Sequence, residues 1–402
     1  MTLLKIVRNV GLELLKMQNK QERKDFTVFI IAGEVSGDVL GAKIMEQMPD
    51  ARFVGIGGEN MMQAGLKPLF PMGDLAVMGI VEVLAHAKTL TKRIKQTVEA
   101  IINEKPDIVV SVDAPGFAKS VIKQIRKNPD GQQLIKNGLK FHHVVAPQVW
   151  AWRSGRAKKY ARTFDKLYAF FDFEIPYFTK YGLDTVAVGH PIADGIIGKY
   201  DAVKNKNIDK IITLVPGSRM SEVKRLMPLM GDMANMLVRN GFSDYKFVIP
   251  TVETTREYVQ DNVKNWLVRP ELVSSAERYK QYSQTYIALV ASGTVSAELA
   301  MMHVPTIVVY KMNPITTWIG KQIIRVKWVS LVNILLNRSV YPEFLGGRAK
   351  TEYIMDAFGQ LTIPSVRQKM VKQLQSADEL WRKPGGSASQ LIAQGIREAV
   401  IK

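Results

Sequence analysis

The chain of 402 residues contains no cysteine, which excludes a disulfide scaffold, a thiolate-held zinc and a thiol nucleophile, and fits a reducing cytoplasm. No apolar run approaches the ~20 residues needed to span a bilayer. No Asp-x-Asp pair occurs, and the five histidines (His86, His142, His143, His190 and His303) show no HExxH or other ligand spacing. A tightly held metal is therefore not expected. Acidic residues are also scarce: 37 against 55 Lys and Arg, a net charge of +18. That surplus predicts attraction to polyanions such as nucleic acid, anionic lipid or phosphorylated substrates. Between Lys119 and Lys166 there are 12 basic residues against two acids, and between Lys311 and Lys350 seven against one.

What the chain has is globular composition, 47% apolar and 23% charged, at a length too great for one ordinary core. From residue 26 onward, strand-like runs alternate with helical patterns, the signature of parallel sheets wound with helices. Strands are predicted at 26–31, 52–56, 107–112, 141–145, 166–170 and 185–188. The pattern restarts at 210–215, 246–249, 286–290 and 306–310. The polar stretch 201–209 between them reads as a linker. Two doubly wound α/β domains facing across a cleft follow, over 26–200 and 201–360. Residues 361–402 form C-terminal helices that cross back to the first domain or to a partner. Residues 1–25 form a basic amphipathic extension suited either to a bilayer interface or to packing.

Two turns carry the clearest chemistry. Val215-Pro216-Gly217-Ser218-Arg219 and Ala291-Ser292-Gly293-Thr294 each follow an apolar run and open a helix. Such turns aim free N–H groups and the positive end of a helix dipole at one point, a seat for phosphate. Arg219 adds a cation, and Glu298 on the second helix is placed to bind ribose hydroxyls. Together they predict a nucleotide diphosphate site, with Glu222 in the same set.

In the first half, Gly33-Glu34-Val35-Ser36-Gly37-Asp38 turns tightly after the first strand; its spacing is not the G-x-G-x-x-G fingerprint. Asp113 ends the third strand, where it serves either as a general base at the cleft mouth or as a cap of the helix opened by Pro115. The run from Val145 to Arg153, with Arg156, Lys158, Lys159 and Arg162, sets Trp150 and Trp152 beside cations. It suits base stacking, a lipid headgroup interface or internal packing. Leu75–Leu84 is either core or an exposed apolar patch for acyl chains.

Taken together, AGEVSGD (32–38), RFVGIGG (52–58), LAVMGIVEVL (75–84), DAPGF (113–117), APQVWAWR (146–153), VGHP (188–191), PGSRMSEV (216–223), ASGTVSAELA (291–300) and VSLVNIL (329–335) resemble, in order, the motifs of bacterial lipid-A-disaccharide synthases. The resemblance implies a GT-B fold and an inverting, metal-independent glycosyltransferase. Such an enzyme joins UDP-2,3-diacylglucosamine to 2,3-diacylglucosamine 1-phosphate through a β-1,6 linkage and releases UDP, with no cofactor. It implies Asp113 as the catalytic carboxylate, Arg219 and Glu298 as a nucleotide-binding pair, and Asn333 as a functional asparagine near the donor. Gly217, Ser218, Glu222, Ser292, Gly293 and Thr294 complete the donor side, and Gly33, Ser36, Gly37 and Asp38 form the acceptor side. The partners expected are the two acylated sugars, an anionic membrane surface bound peripherally on its cytoplasmic face, and a second copy of the chain, with no nucleic acid. Competing readings are another UDP-sugar enzyme of the same architecture, such as a 2-epimerase or a lipid II-type glycosyltransferase, and a non-catalytic membrane- or nucleic-acid-binding protein.

Overall fold

Short, continuously apolar runs without polar alternation are strands buried on both faces, and they assemble here into two parallel sheets. The structure is a computed structural model and describes residues 26–75, 87–200, 210–311 and 327–401. The amphipathic extension, the polar linker and all but Leu75 of the 75–84 run lie outside the described residues.

The first sheet holds β1 (Phe26–Ala32), β2 (Ala51–Ile56), β3 (Ile108–Val112), β4 (Lys140–Val144), β5 (Lys166–Ala169) and β6 (Asp184–Ala187), in the order β2-β1-β3-β4-β5-β6. Every pair is parallel. Side chains alternate across it: Phe29, Ile31 and Val109 pack on one face, Val28, Ile30 and Val110 on the other. The second sheet holds β7 (Ile211–Val215), β8 (Lys246–Thr251), β9 (Glu271–Ser274), β10 (Ile287–Ala291), β11 (Thr306–Tyr310) and β12 (Glu343–Leu345). Its order is β12-β11-β10-β7-β8-β9, again parallel throughout. All ten predicted strands are present. The two that sequence did not reveal, β9 and β12, are the outer strands of the second sheet; both are short and incompletely buried, so their side chains carry little hydrophobic signal.

In each sheet the strand order reverses once. The reversal falls between β1 and β3 in the first and between β7 and β10 in the second, and ligands of such sheets bind outside the carboxyl ends at these switch points. The loops that follow β1, β3, β7 and β10 are the four segments that carry most of the candidate residues.

The two domains are tied by the chain itself. Helices Thr351–Thr362 and Pro364–Gln375 pack into the second domain, whose core continues to Trp381. The last helix, Ala388–Val400, returns to the first sheet, burying Ile392 and Ile396 against it. Full burial of each contributes about 1.5 to 3 kcal/mol. Arg397 at its far end donates to Asp50 Oδ1 at 2.5 Å and to the Gln47 carbonyl at 2.9 Å. The VGHP segment lies beside this returning chain: the His190 N–H donates to the Trp381 carbonyl at 2.8 Å.

Candidate active site

The second domain builds a cavity of about 390 Å³ from the two phosphate-type turns. β7 ends at Val215, and after Gly217-Ser218 the extended Arg219 caps the helix Met220–Arg239. Gly217 has φ +114°, and a Cβ there would fall 2.7 Å from Glu222 Oε2, so the turn admits glycine only. β10 ends at Ala291, and Gly293 caps the helix Thr294–Met301. Both helices thus start at the rim of one cavity, with free N–H groups and positive dipole ends. Gly217, Ser218, Arg219, Glu222, Ser292, Gly293, Thr294 and Glu298 all line it.

Arg219 is 72% exposed and reaches Glu222 Oε1 at 3.3 Å. A pair that exposed is weak, which leaves the guanidinium able to turn to an incoming anion. Glu298 differs: it is buried, and Tyr279 Oη donates to its Oε1 at 3.0 Å while Arg278 spans both oxygens at 3.4 Å. Burial pulls the Arg278 guanidinium down, but Glu298 and Tyr279 outweigh it and hold its pKa above the ordinary value. Arg278 also lines the cavity, so the site has a second cation that sequence reading missed. Nothing local marks it: it lies in a short helix, Arg278–Tyr282, and meets Glu298 only through the fold.

Asn333 requires a correction. It is fully buried and does not line the cavity. Its Nδ2 donates to the Tyr341 carbonyl at 2.9 Å and to Glu343 Oε1 at 2.8 Å, and its Oδ1 accepts from the Val340 and Tyr341 N–H groups, both at 2.8 Å. With both donors and both acceptor positions occupied, it staples the segment before β12 and has nothing left for a nucleotide.

On the first domain, the turns after β1 and β3 interlock. A Cβ on Gly37 would approach the Val112 carbonyl to 2.8 Å, and one on Gly33 would meet Ala114 Cβ at 2.9 Å. This close approach brings Ser36 to Asp113, whose Oδ2 accepts its hydroxyl at 3.1 Å. Asp113 sits at φ +49°, an unusual backbone for a side-chain-bearing residue, held by its N–H bond to the Val144 carbonyl at 3.2 Å. It does not cap the following helix; Ala114 occupies that position. Burial raises the Asp113 carboxyl above its ordinary value, the Ser36 hydroxyl opposes this, and the nearby Glu34 adds to the rise. The net effect is a carboxylate more basic than free aspartate.

Asp38, predicted on the acceptor side, turns inward. Its carboxylate accepts from the N–H groups of Gly58, Asn60 and Met61 at 2.7, 2.9 and 3.1 Å and from Asn60 Nδ2 at 2.8 Å. Burial pushes its pKa up, yet these bonds together outweigh it and the carboxyl lies below its usual value. Asp38 therefore fixes the start of the helix Glu59–Gln63 onto the first turn of the helix Val35–Glu46, with its carboxylate turned inward.

The Trp pair divides. Trp150 Nε1 donates to the buried Glu174 at 3.3 Å, while Trp152 is 39% exposed. Glu174 also accepts from the Phe170 and Phe171 N–H groups at 3.2 Å, and no cation pairs with it among the described residues. Burial, partly offset by these bonds, pushes its carboxyl up to about 7. The folded state then keeps a proton that the unfolded chain releases near 4.5, so stability falls as pH rises from about 4.5 to about 7 and is level above. Relative to Glu174→Gln, the wild type is expected to lose about 2 to 4 kcal/mol across that interval. Urea unfolding of both proteins at stepped pH measures it; parallel curves would show that Glu174 titrates normally. His142, His143 and His190 are held neutral by burial, at about 3, 3 and 4.

Two parallel α/β domains, each with polar residues at its switch point, define the GT-B architecture. Solved structures agree on the fold. A putative UDP-N-acetylglucosamine 2-epimerase from Listeria monocytogenes matches with a TM-score of 0.59 at 15% identity, covering 94% of this chain and 96% of that one. The MurG structure from Acinetobacter baumannii matches with a TM-score of 0.59 at 12% identity, covering 93% and 100%. Residues 28–394 match the lipid-A-disaccharide synthetase family model. A lipid-A-disaccharide synthase from Rhodospirillum centenum is 38% identical over 361 residues, 87% of this chain and 88% of that protein. The chain belongs to the lipid-A-disaccharide synthetase family, whose members are glycosyltransferases.

Proposed function

We propose that the protein transfers 2,3-diacylglucosamine from its UDP derivative to the 6-hydroxyl of 2,3-diacylglucosamine 1-phosphate, giving the β-1,6-linked disaccharide 1-phosphate and UDP. The observation that carries this reading is the pair of switch-point sites, an anion seat in one domain and a basic carboxylate in the other. The diphosphate lies against Ser218, Arg219 and the two helix N-termini, with Arg278 behind Glu298, and Glu298 takes the ribose hydroxyls. Asp113 accepts the proton of the acceptor 6-hydroxyl as its oxygen bonds to the donor C1. The bond from C1 to the diphosphate breaks on the opposite face, so the configuration inverts and UDP carries away the electron pair. Cations and helix dipoles stabilise that developing charge.

Both substrates are acylated and the chain is strongly basic, which supports peripheral attachment to the cytoplasmic face of an anionic bilayer. No helix among the described residues is long and apolar enough to cross one. Incubating the protein with both acylated sugars tests the reaction: UDP and disaccharide should appear together in equal amounts, and UDP alone or neither product would refute it. Arg219→Ala should weaken UDP binding by about 1.5 to 3 kcal/mol, the loss of a charge-assisted hydrogen bond. An unchanged dissociation constant by calorimetry would remove Arg219 from the diphosphate seat.

A further inference from the structure

The loop after β4 carries a cluster that the transfer step does not use. Trp152 stands exposed, with the Arg153 guanidinium 4.3 Å and the Arg156 guanidinium 5.3 Å from its ring centre. Neither arginine pairs with a carboxylate among the described residues. Arg156 Nη2 donates to the Trp152 carbonyl at 3.2 Å, while its Nε is buried with no partner. Arg153 is held at φ +51°, a conformation that side-chain-bearing residues rarely adopt. Two cations held on one indole, with donor capacity unspent, form a site for a compact anion, since like charges this close repel until something neutralises them.

The loop is fixed at its base by the Trp150–Glu174 bond and by the Val145 N–H, which donates to the Tyr168 carbonyl at 3.1 Å. It also neighbours the proposed base. β4 lies next to β3, and the Asp113 N–H bonds to the last residue of β4. Tyr160 reports the same closeness: burial raises its phenol, Arg156 lowers it and Asp113 raises it, so both charges act on one hydroxyl.

We propose that Arg153 and Arg156, set on Trp152, form a phosphomonoester subsite that holds the 1-phosphate of the acceptor while its 6-hydroxyl reaches Asp113. The assignment rests on the reaction proposed above. Two guanidinium cations match the near-dianionic charge and the three free oxygens of a phosphomonoester; a bilayer phosphodiester presents one charge and two free oxygens. On the acceptor, C1 and C5 flank the ring oxygen, so the 1-phosphate and the 6-hydroxyl share one edge of the sugar, and one molecule reaches both the loop and the adjoining β3 turn. Binding at the phosphate then orients the nucleophile.

The test compares wild type with Arg153→Gln/Arg156→Gln on detergent-dispersed acceptor, with and without its 1-phosphate. The double variant should lose about 100-fold in kcat/KM on the phosphorylated acceptor, mostly through KM, as expected for two charge-assisted contacts. On the unphosphorylated acceptor it should stay within about threefold of wild type, and its UDP affinity should be unchanged. Arg156→Lys, which keeps the charge without the fork, should fall between the two. Preference for the phosphorylated acceptor surviving in the double variant would overturn the proposal. So would survival of that preference together with lost sedimentation on phosphatidylglycerol vesicles, which would assign the loop to bilayer headgroups. Calorimetry with glucosamine 1-phosphate separates the subsite from the reaction: binding to wild type and not to the double variant supports the subsite even if no disaccharide forms, and equal binding to both overturns it.

Discussion

Asp113→Asn is expected to lower turnover by about 10²- to 10⁴-fold, the scale on which general-base catalysis operates, while UDP affinity stays within about twofold of wild type. The substitution is well suited to the question. Asparagine tolerates the left-handed backbone found at φ +49° better than most side-chain-bearing residues, and its carbonyl oxygen can still accept the Ser36 hydroxyl. The turn and the Ser36 contact therefore persist, and what disappears is the ability to take a proton. The proposed UDP seat lies in the other domain, at a cavity lined wholly by residues 215–298, so UDP affinity should be insulated from the change. Steady-state rates with both sugars and calorimetry with UDP give the two numbers. Full activity in the variant would leave Asp113 as an element of the turn and move the base elsewhere.

Asn333→Ala should destabilise the fold by about 3 to 5 kcal/mol, because it strands several buried groups at once. The Val340 and Tyr341 N–H groups lose their acceptor, the Tyr341 carbonyl loses its donor, and Glu343 loses one of the three donors on its carboxylate. Asn333→Asp is expected to fare no better: it keeps the acceptor but turns a second carboxylate oxygen toward Glu343, which remains bonded to the Val329 and Ser330 N–H groups. Urea midpoints measure the loss, and UDP titration of the folded variant measures the site. A variant that keeps its stability and loses UDP would return Asn333 to the donor.

These two residues mark the boundary between what a linear reading reaches and what it does not. Asp113, Ser36 and the turns at Gly217 and Ser292 were legible because strand, glycine turn and helix are consecutive in the chain, and consecutive residues control their own backbone angles. The apolar runs of the ten recognised strands were legible for the same reason, since burial on both faces leaves a continuous pattern. Strand order was not, because which strands become neighbours depends on how the crossovers close, and only that order places the turns after β1 and β3, and after β7 and β10, side by side. The inward turn of Asp38, the burial of Asn333, the Arg278–Glu298 contact and the Trp150–Glu174 bond belong to the same class. A polar side chain looks alike in sequence whether it will meet a ligand, solvent or a buried amide. Its partner is set by packing between segments 20 residues apart, as for Arg278 and Glu298, or 347 apart, as for Arg397 and Asp50. Local chain order was enough to dictate two wound domains, with two glycine turns that open helices at one cavity in the second and a carboxylate at the end of β3. Which polar groups are consumed in holding those turns, and which stay free to act, follows from packing in three dimensions, because hydrogen-bond capacity spent on the fold is no longer available to a substrate.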